Sequence, residues 1–324
     1  MKQLAFEQQN QALWQAFERQ LQQLESKRTR LAAEQARQFG GHYSQVCHHL
    51  ALANDRQYSG GLASYLQNLA ERGHKQLYRY QNSGLWGRFK YFVGRDFPQT
   101  VRQQFKPVLW AHALFYLPLL LSLLLVALHP PLLEKWAGAD IGANAAESYA
   151  EMAAQYAAGS NRPLWQNWMM FGFYVFNNIG IAFQSFAGGL LFGIGAVYTT
   201  VYNGFIIGGI MGYMLHEPSA LAFYSFVSAH GAFELTGLVL AAAGGLRLGL
   251  ALLAPQGLSR KDALRQQGAV AVKLMSGAFL LLALAALVEG FWSPLTSIPI
   301  ALKFAVGTLL WLLVYAYLWR AGRA

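Results

Sequence analysis

Six long apolar stretches dominate the last two-thirds of the chain. They cover residues 108–128, 168–190, 192–214, 219–246, 269–288 and 298–318. A helix needs about 20 apolar residues to cross the hydrocarbon core of a bilayer. The pattern therefore predicts an all-α, polytopic membrane helix bundle of about six spans, in residues 108–324. The second and third stretches turn at the glycine-rich segment 188–195, and a re-entrant pair that does not fully cross is the alternative there.

The amino-terminal region has a different pattern, in which apolar residues recur at helical spacing among polar ones. It predicts a long amphipathic helix that ends near Phe39, a second helix over residues 44–54 and a third over residues 62–80. The apolar positions are Leu13, Phe17, Leu21, Leu24 and Leu31 in the first helix and Leu66, Leu69, Leu77 and Tyr80 in the third. Residues 1–84 are thus predicted to form a helical domain.

Residues 85–107 combine aromatic and basic side chains immediately before the first span. The cations are Arg88, Lys90, Arg95, Arg102 and Lys106. This composition is typical of an amphipathic helix that lies in the headgroup layer and contacts anionic lipids. Nucleic-acid binding is the alternative for a basic and aromatic segment, but the adjoining span favours the membrane and no nucleic-acid partner is predicted.

The distribution of charge predicts the orientation in the membrane. Charged residues make up 12% of the chain, too few for a soluble protein of this size. The amino-terminal region, the 247–265 connection and the carboxyl-terminal tail together carry 21 of the 25 Lys and Arg residues. By the positive-inside rule, both termini are predicted to be cytoplasmic and residues 129–167 to form an outer loop. The predicted location is the bacterial inner membrane. The first apolar stretch would serve as a signal-anchor.

Several polar side chains fall in the middle of the predicted spans. They are Asn177, Asn178, Asn203, His230 and Glu234. A carboxyl group near the bilayer centre costs about 2.5–3.5 kcal/mol on the insertion scale, so a partner or a proton must compensate it. His230 and Glu234 are four residues apart and share one helix face. The cluster is either an ion- or proton-responsive site, a polar substrate cavity, or interhelical contact that fixes packing.

Small residues at four-residue spacing predict close helix packing. They are Gly189, Gly193, Gly204, Gly208, Gly212, Gly245 and Gly249. Glycine lets two backbones approach closely in lipid, either within one chain or across a homodimer face. Arg247 is expected at the cytoplasmic interface, and Lys273 and Lys303 are expected to be structural, with Lys303 able to pair with Glu289.

The sequence carries no recognised catalytic motif, so the protein is not expected to be an enzyme. The His230–Glu234 pair has no third ligand in register, and the amino-terminal histidines lack the spacing of a metal site. No metal or cofactor is therefore predicted.

The same central motifs resemble the stage II sporulation protein M family. They are Phe176-Asn177-Asn178, Tyr202-Asn203-Gly204, His230-Gly231 with Glu234-Leu235, and Gly245-Leu246-Arg247-Leu248-Gly249. The resemblance implies a multi-spanning cell-membrane protein, which in spore formers acts as a scaffold for peptidoglycan remodelling. The leading hypothesis is a dimeric membrane scaffold with unidentified protein partners. The alternative is a transporter or channel that uses the Asn/His/Glu cluster.

Overall fold

The computed structural model describes residues 2–25, 33–77, 85–138 and 140–323, and the regular structure in these ranges is entirely helical. The chain divides into two compact units, Met1–Lys90 and Tyr91–Ala324. We call them the amino-terminal unit and the membrane unit. The predicted all-α class is confirmed.

The amino-terminal unit packs three long helices around one apolar core. They are α1 (Gln3–Glu25), α2 (Ala33–Asp55) and α3 (Gly60–Leu77), followed by the short α4 (Leu85–Tyr91), most of which belongs to this unit. Phe17, Leu21 and Leu66 are fully buried in the core. In the same core, the buried Trp14 donates a hydrogen bond from Nε1 to Nδ1 of His49, over 3.1 Å. The predicted apolar stripes of α1 and α3 therefore face the core, while Leu31, Tyr80 and the side chain of Leu77 lie outside the described residues.

The predicted boundary between the first two helices was wrong, since α1 ends at Glu25 and α2 begins at Ala33 rather than after Phe39. Gly40 and Gly41, which follow the predicted end at Phe39, lie inside α2. A glycine in a helix interior costs only about 1 kcal/mol, and the burial of Phe39 and Val46 on either side outweighs that cost.

The membrane unit begins with a π-helical turn (Phe92–Asp96) and contains nine α-helices in its described residues. They are α5 (Phe97–Gln103), α6 (Phe105–Leu128), α7 (Pro131–Ala137), α8 (Ile141–Ala158), α9 (Leu164–Gly188), α10 (Ile194–Met214), α11 (Ala220–Leu253), α12 (Arg260–Leu287) and α13 (Ile300–Arg320). A second π-helical turn, Val288–Trp292, extends α12. The central helix is α11, whose Ala- and Gly-rich surface packs against α6, α9, α10, α12 and α13.

Five of the described helices are long and apolar enough to cross a membrane. They are α6, α10, α11, α12 with its π-helical extension, and α13. The remaining predicted span, 168–190, corresponds to α9, which has the length and no charged residue but carries several amide side chains. The fold is a helical membrane bundle, as predicted.

The predicted outer loop, residues 129–167, is largely helical. It forms α7 and α8, and α8 packs against α10 and α11. The ring of Tyr149 contacts the rings of Phe223 and Phe226, and Met152 is buried. The sequence pattern did not predict this packing, because the alanine-rich segment has no strong apolar stripe.

The glycines predicted to allow close packing lie at contacts between neighbouring helices of the chain. A Cβ at Gly204, Gly208 or Gly212 of α10 would overlap the backbone of α6. Gly189 meets the carbonyl of Gly245, and Gly193 meets the Cα of Gly249. Gly193 also has a φ of 85°, which a side chain rarely allows. The tight α9–α10 turn is thereby seated against α11 by backbone contact.

Candidate functional site

A chamber of about 840 Å³ opens between the helices of the membrane unit, and its mainly apolar lining carries several polar side chains. Side chains from α8, α9, α10, α11, α13 and the Val288–Trp292 turn line it. We call this cavity the chamber. It contains four of the five residues predicted to form the intramembrane cluster: Asn177, Asn178, His230 and Glu234. Another cavity, of about 670 Å³ beside the α9–α10 turn, is almost wholly apolar and offers no comparable chemistry.

His230 and Glu234 face the chamber from one side of α11. Their spacing of one helical turn brings Nε2 of His230 to 3.7 Å from Oε2 of Glu234. His230 is buried, whereas the Glu234 side chain remains 18% exposed. The other imidazole nitrogen, Nδ1, lies 3.3 Å from the Ser293 hydroxyl. The imidazole is thus held between a carboxylate and a hydroxyl group.

Glu289 completes a three-residue group that the sequence did not predict. One ligand atom each from His230, Glu234 and Glu289 lies within 4.8 Å of the others. Glu289 is buried, and its Oε2 has no hydrogen-bond partner. The sequence pattern placed this residue in the connection after the fifth span and indicated no third member in register with the pair, whereas the structure brings Glu289 beside it. The π-helical turn continues α12 by one turn and carries Glu289 back into the helix packing.

The three asparagines of the predicted cluster do not all reach the chamber. The amide of Asn177 donates a hydrogen bond to Oδ1 of Asn178 over 3.0 Å, and both residues line the chamber. Asn203 donates instead to the Thr199 carbonyl in its own helix and is not among the chamber's lining residues. Neighbouring α10 positions, Ile207 and Ile210, line the chamber in its place.

Two further residues of the chamber wall come from outside the predicted cluster. Arg162, just before α9, lines the chamber, and its buried Nη1 has no hydrogen-bond partner. Tyr149 on α8 lines it too, and burial raises the pKa of this phenol above its usual range. No pattern in the sequence linked these positions to the cluster, because each lies in the 129–167 connection.

Lys303 has a different partner from the one predicted. Its Nζ donates to the Ser293 carbonyl over 2.6 Å and to the Tyr156 hydroxyl over 2.7 Å, rather than pairing with Glu289. Lys303 is completely buried, and Tyr156 also bonds the Ser293 carbonyl. This arrangement fixes Ser293 beside His230.

The predicted lipid-contacting cations fall into two groups. Arg88, Lys90, Arg95 and Lys106 are exposed, in keeping with a surface role. Arg102 instead donates to the carbonyls of Leu318 and Ala321 at the end of α13, each over 2.7 Å. Arg247 is half-buried, and its Nε is buried without a partner.

Lys273 is also held within the protein. Its Nζ forms an ion pair with Asp96 at 2.9 Å. Asp96 closes the π-helical turn before α5. This contact supports the structural role expected for Lys273.

Two family models match the chain. The first is described as stage II sporulation protein M and matches residues 111–294, more than half of the chain. The second is described as a domain of unknown function (DUF8413) and matches residues 4–79. Neither a curated protein nor a solved structure matches the chain. The first match includes every predicted residue of the chamber cluster, together with Arg162 and Glu289.

Proposed function

The chain belongs to the stage II sporulation protein M family, and from this premise we propose that it binds and passes a cation through the chamber. The observation that carries the proposal is the convergence of His230, Glu234 and Glu289 at one cavity inside an apolar bundle. Buried carboxyl groups destabilise a membrane protein unless something compensates them. Two carboxyl groups beside one imidazole therefore favour an ion-binding role over a role in helix packing alone.

The composition of the chamber favours a cation as the bound species. Two carboxyl groups and the Asn177 and Asn178 amides supply oxygen ligands, against the single positive charge of Arg162. Glu234 remains partly exposed in the cavity and can exchange ions with it. We also propose that the role is not catalytic, since the sequence carries no recognised catalytic motif.

Flux measurements on the full-length protein in liposomes test this proposal. Vesicles containing a pH-sensitive dye would report proton movement, and imposed K⁺, Na⁺ and Mn²⁺ gradients would be compared. We expect a flux above that of protein-free vesicles, lost in Glu234→Gln and retained in the control Glu151→Gln, an exposed glutamate on α8. Equal flux in wild type and Glu234→Gln would refute the proposal.

A second candidate function is a membrane scaffold. The observation that favours it is the separate helical amino-terminal unit, which has its own family match and carries exposed Trp86 and Phe89 at its end. In this role the protein would be a homodimer in the bacterial inner membrane, with cytoplasmic termini. It would hold protein partners for envelope or peptidoglycan remodelling.

Light scattering of the purified protein in detergent tests the dimer. A monomeric mass would contradict that part of the scaffold hypothesis. Glu234→Gln separates the two functions, because a scaffold should keep its oligomeric state and partners in this variant while a conduit loses flux.

A further inference from the structure

We infer that His230, Glu234 and Glu289 bind a first-row divalent transition-metal ion, such as Mn²⁺, Co²⁺ or Zn²⁺. The inference deepens the proposed function, on which it rests for the use of the chamber, by naming the class of ion. The three side chains offer one imidazole nitrogen and two carboxylate groups within 4.8 Å of one another. First-row divalent metal ions accept an imidazole nitrogen beside carboxylate oxygens, whereas Mg²⁺ and Ca²⁺ are bound by oxygen ligands.

The distances between the three ligand atoms are slightly longer than those in a metal-bound site, so the side chains would move closer together when an ion binds. Metal–ligand distances of about 2.0–2.2 Å place neighbouring ligand atoms about 3–3.5 Å apart. His230 and Glu234 already approach to 3.7 Å, so small side-chain rotations suffice. Three protein ligands leave at least one coordination position for water, and the chamber provides the space for it.

An independent observation points to a missing ligand at this position. Glu289 is 92% buried, since its exposed fraction is 8%, yet its Oε2 has no hydrogen-bond partner. A buried polar atom without a partner destabilises the fold, and more so when it is charged. Glu234 cannot supply a positive charge, and Arg162, whose charge acts on Glu289 electrostatically, makes no hydrogen bond to Oε2. A bound cation would satisfy Oε2 and offset the repulsion between the two carboxylates.

The surroundings of His230 also resemble those of a metal-bound histidine. Nδ1 lies beside the Ser293 hydroxyl, which leaves Nε2 directed toward Glu234. Metal-bound histidines commonly use the second nitrogen in this way to fix the ring. Lys303 and Tyr156 bond the Ser293 carbonyl and hold the serine in place. The positive Nζ of Lys303 is occupied by these bonds and by the Tyr156 ring.

The experiment uses the untagged full-length protein in detergent, stripped with a chelator and titrated with Co²⁺ while visible absorption is recorded. Bound metal after Zn²⁺ or Mn²⁺ loading would be counted by mass spectrometry. We expect about one ion per chain and a rise in melting temperature. Ser293→Ala should weaken binding by about 10–100-fold. Glu289→Gln and His230→Gln should weaken it further, whereas Glu151→Gln should bind as wild type.

Two results would overturn the inference. The first is equal binding by wild type and the double variant Glu234→Gln/Glu289→Gln, which would place the metal elsewhere, for instance on the amino-terminal histidines. The second is no binding by the folded wild type, which would leave a shared proton to balance the carboxylates. Flux without metal binding would refute this inference alone, and metal binding without flux would refute only the proposed function.

Discussion

Replacing Gly208 by alanine tests whether backbone contact holds α10 against α6. An ideal Cβ at this position would overlap the carbonyl oxygen of Leu119, a backbone atom that cannot rotate away. The helices would have to separate by about 1 Å, and a gap of that size forfeits up to about half of the dispersion energy of the facing atoms. Overpacking of this kind costs about 1–3 kcal/mol.

Gly180→Ala on α9 provides the matched control. A Cβ there would meet nothing within 4 Å. Both substitutions gain the same helix propensity, about 1 kcal/mol, so their difference isolates the steric cost. We therefore expect Gly208→Ala to be less stable than Gly180→Ala by about 1–3 kcal/mol.

Unfolding in mixed micelles of rising SDS fraction, followed by circular dichroism, would measure this difference. The free energy of unfolding of each variant is compared with that of the wild type. Equal values for Gly208→Ala and Gly180→Ala would show that the α6–α10 contact tolerates a side chain, and the packing argument would fail.

Three other predictions concern regions away from the chamber. Phe17→Ala should lower the stability of the amino-terminal unit by about 3–5 kcal/mol, because the ring is fully buried, and thermal denaturation would measure the loss. Arg102→Ala should speed hydrogen exchange in the last turn of α13, whose carbonyls it binds, and unchanged exchange would contradict this. The Arg72 guanidinium hydrogen-bonds Glu25 and lowers the pKa of that carboxyl group. The stabilisation from this pair is complete above the pKa that Glu25 has in the unfolded chain, and it is lost as the pH falls through the lower pKa of Glu25 in the folded protein. In Arg72→Gln, the melting temperature should therefore fall less steeply as the pH is lowered.

The helices and much of the candidate site could be predicted from local pattern. Apolar length defined the helices of the bundle, because spanning lipid requires a continuous apolar run with its backbone hydrogen bonds satisfied internally. The i, i+4 spacing placed His230 and Glu234 on one face, and Asn177 and Asn178 entered the same chamber. Each of these features either depends on one helix alone or follows from the free-energy cost of placing polar groups in the membrane.

Contacts between distant segments were decided only by the tertiary structure. Glu289 joins His230 from 59 positions along the chain, through a π-helical turn that no periodicity signals. Arg102 binds carbonyls at the end of α13, and Asn203 is bonded to its own helix. A sequence shows which polar groups must find partners in an apolar bundle. The choice among partners depends on how the helices rotate and pack, since a difference of a few ångströms decides which groups meet.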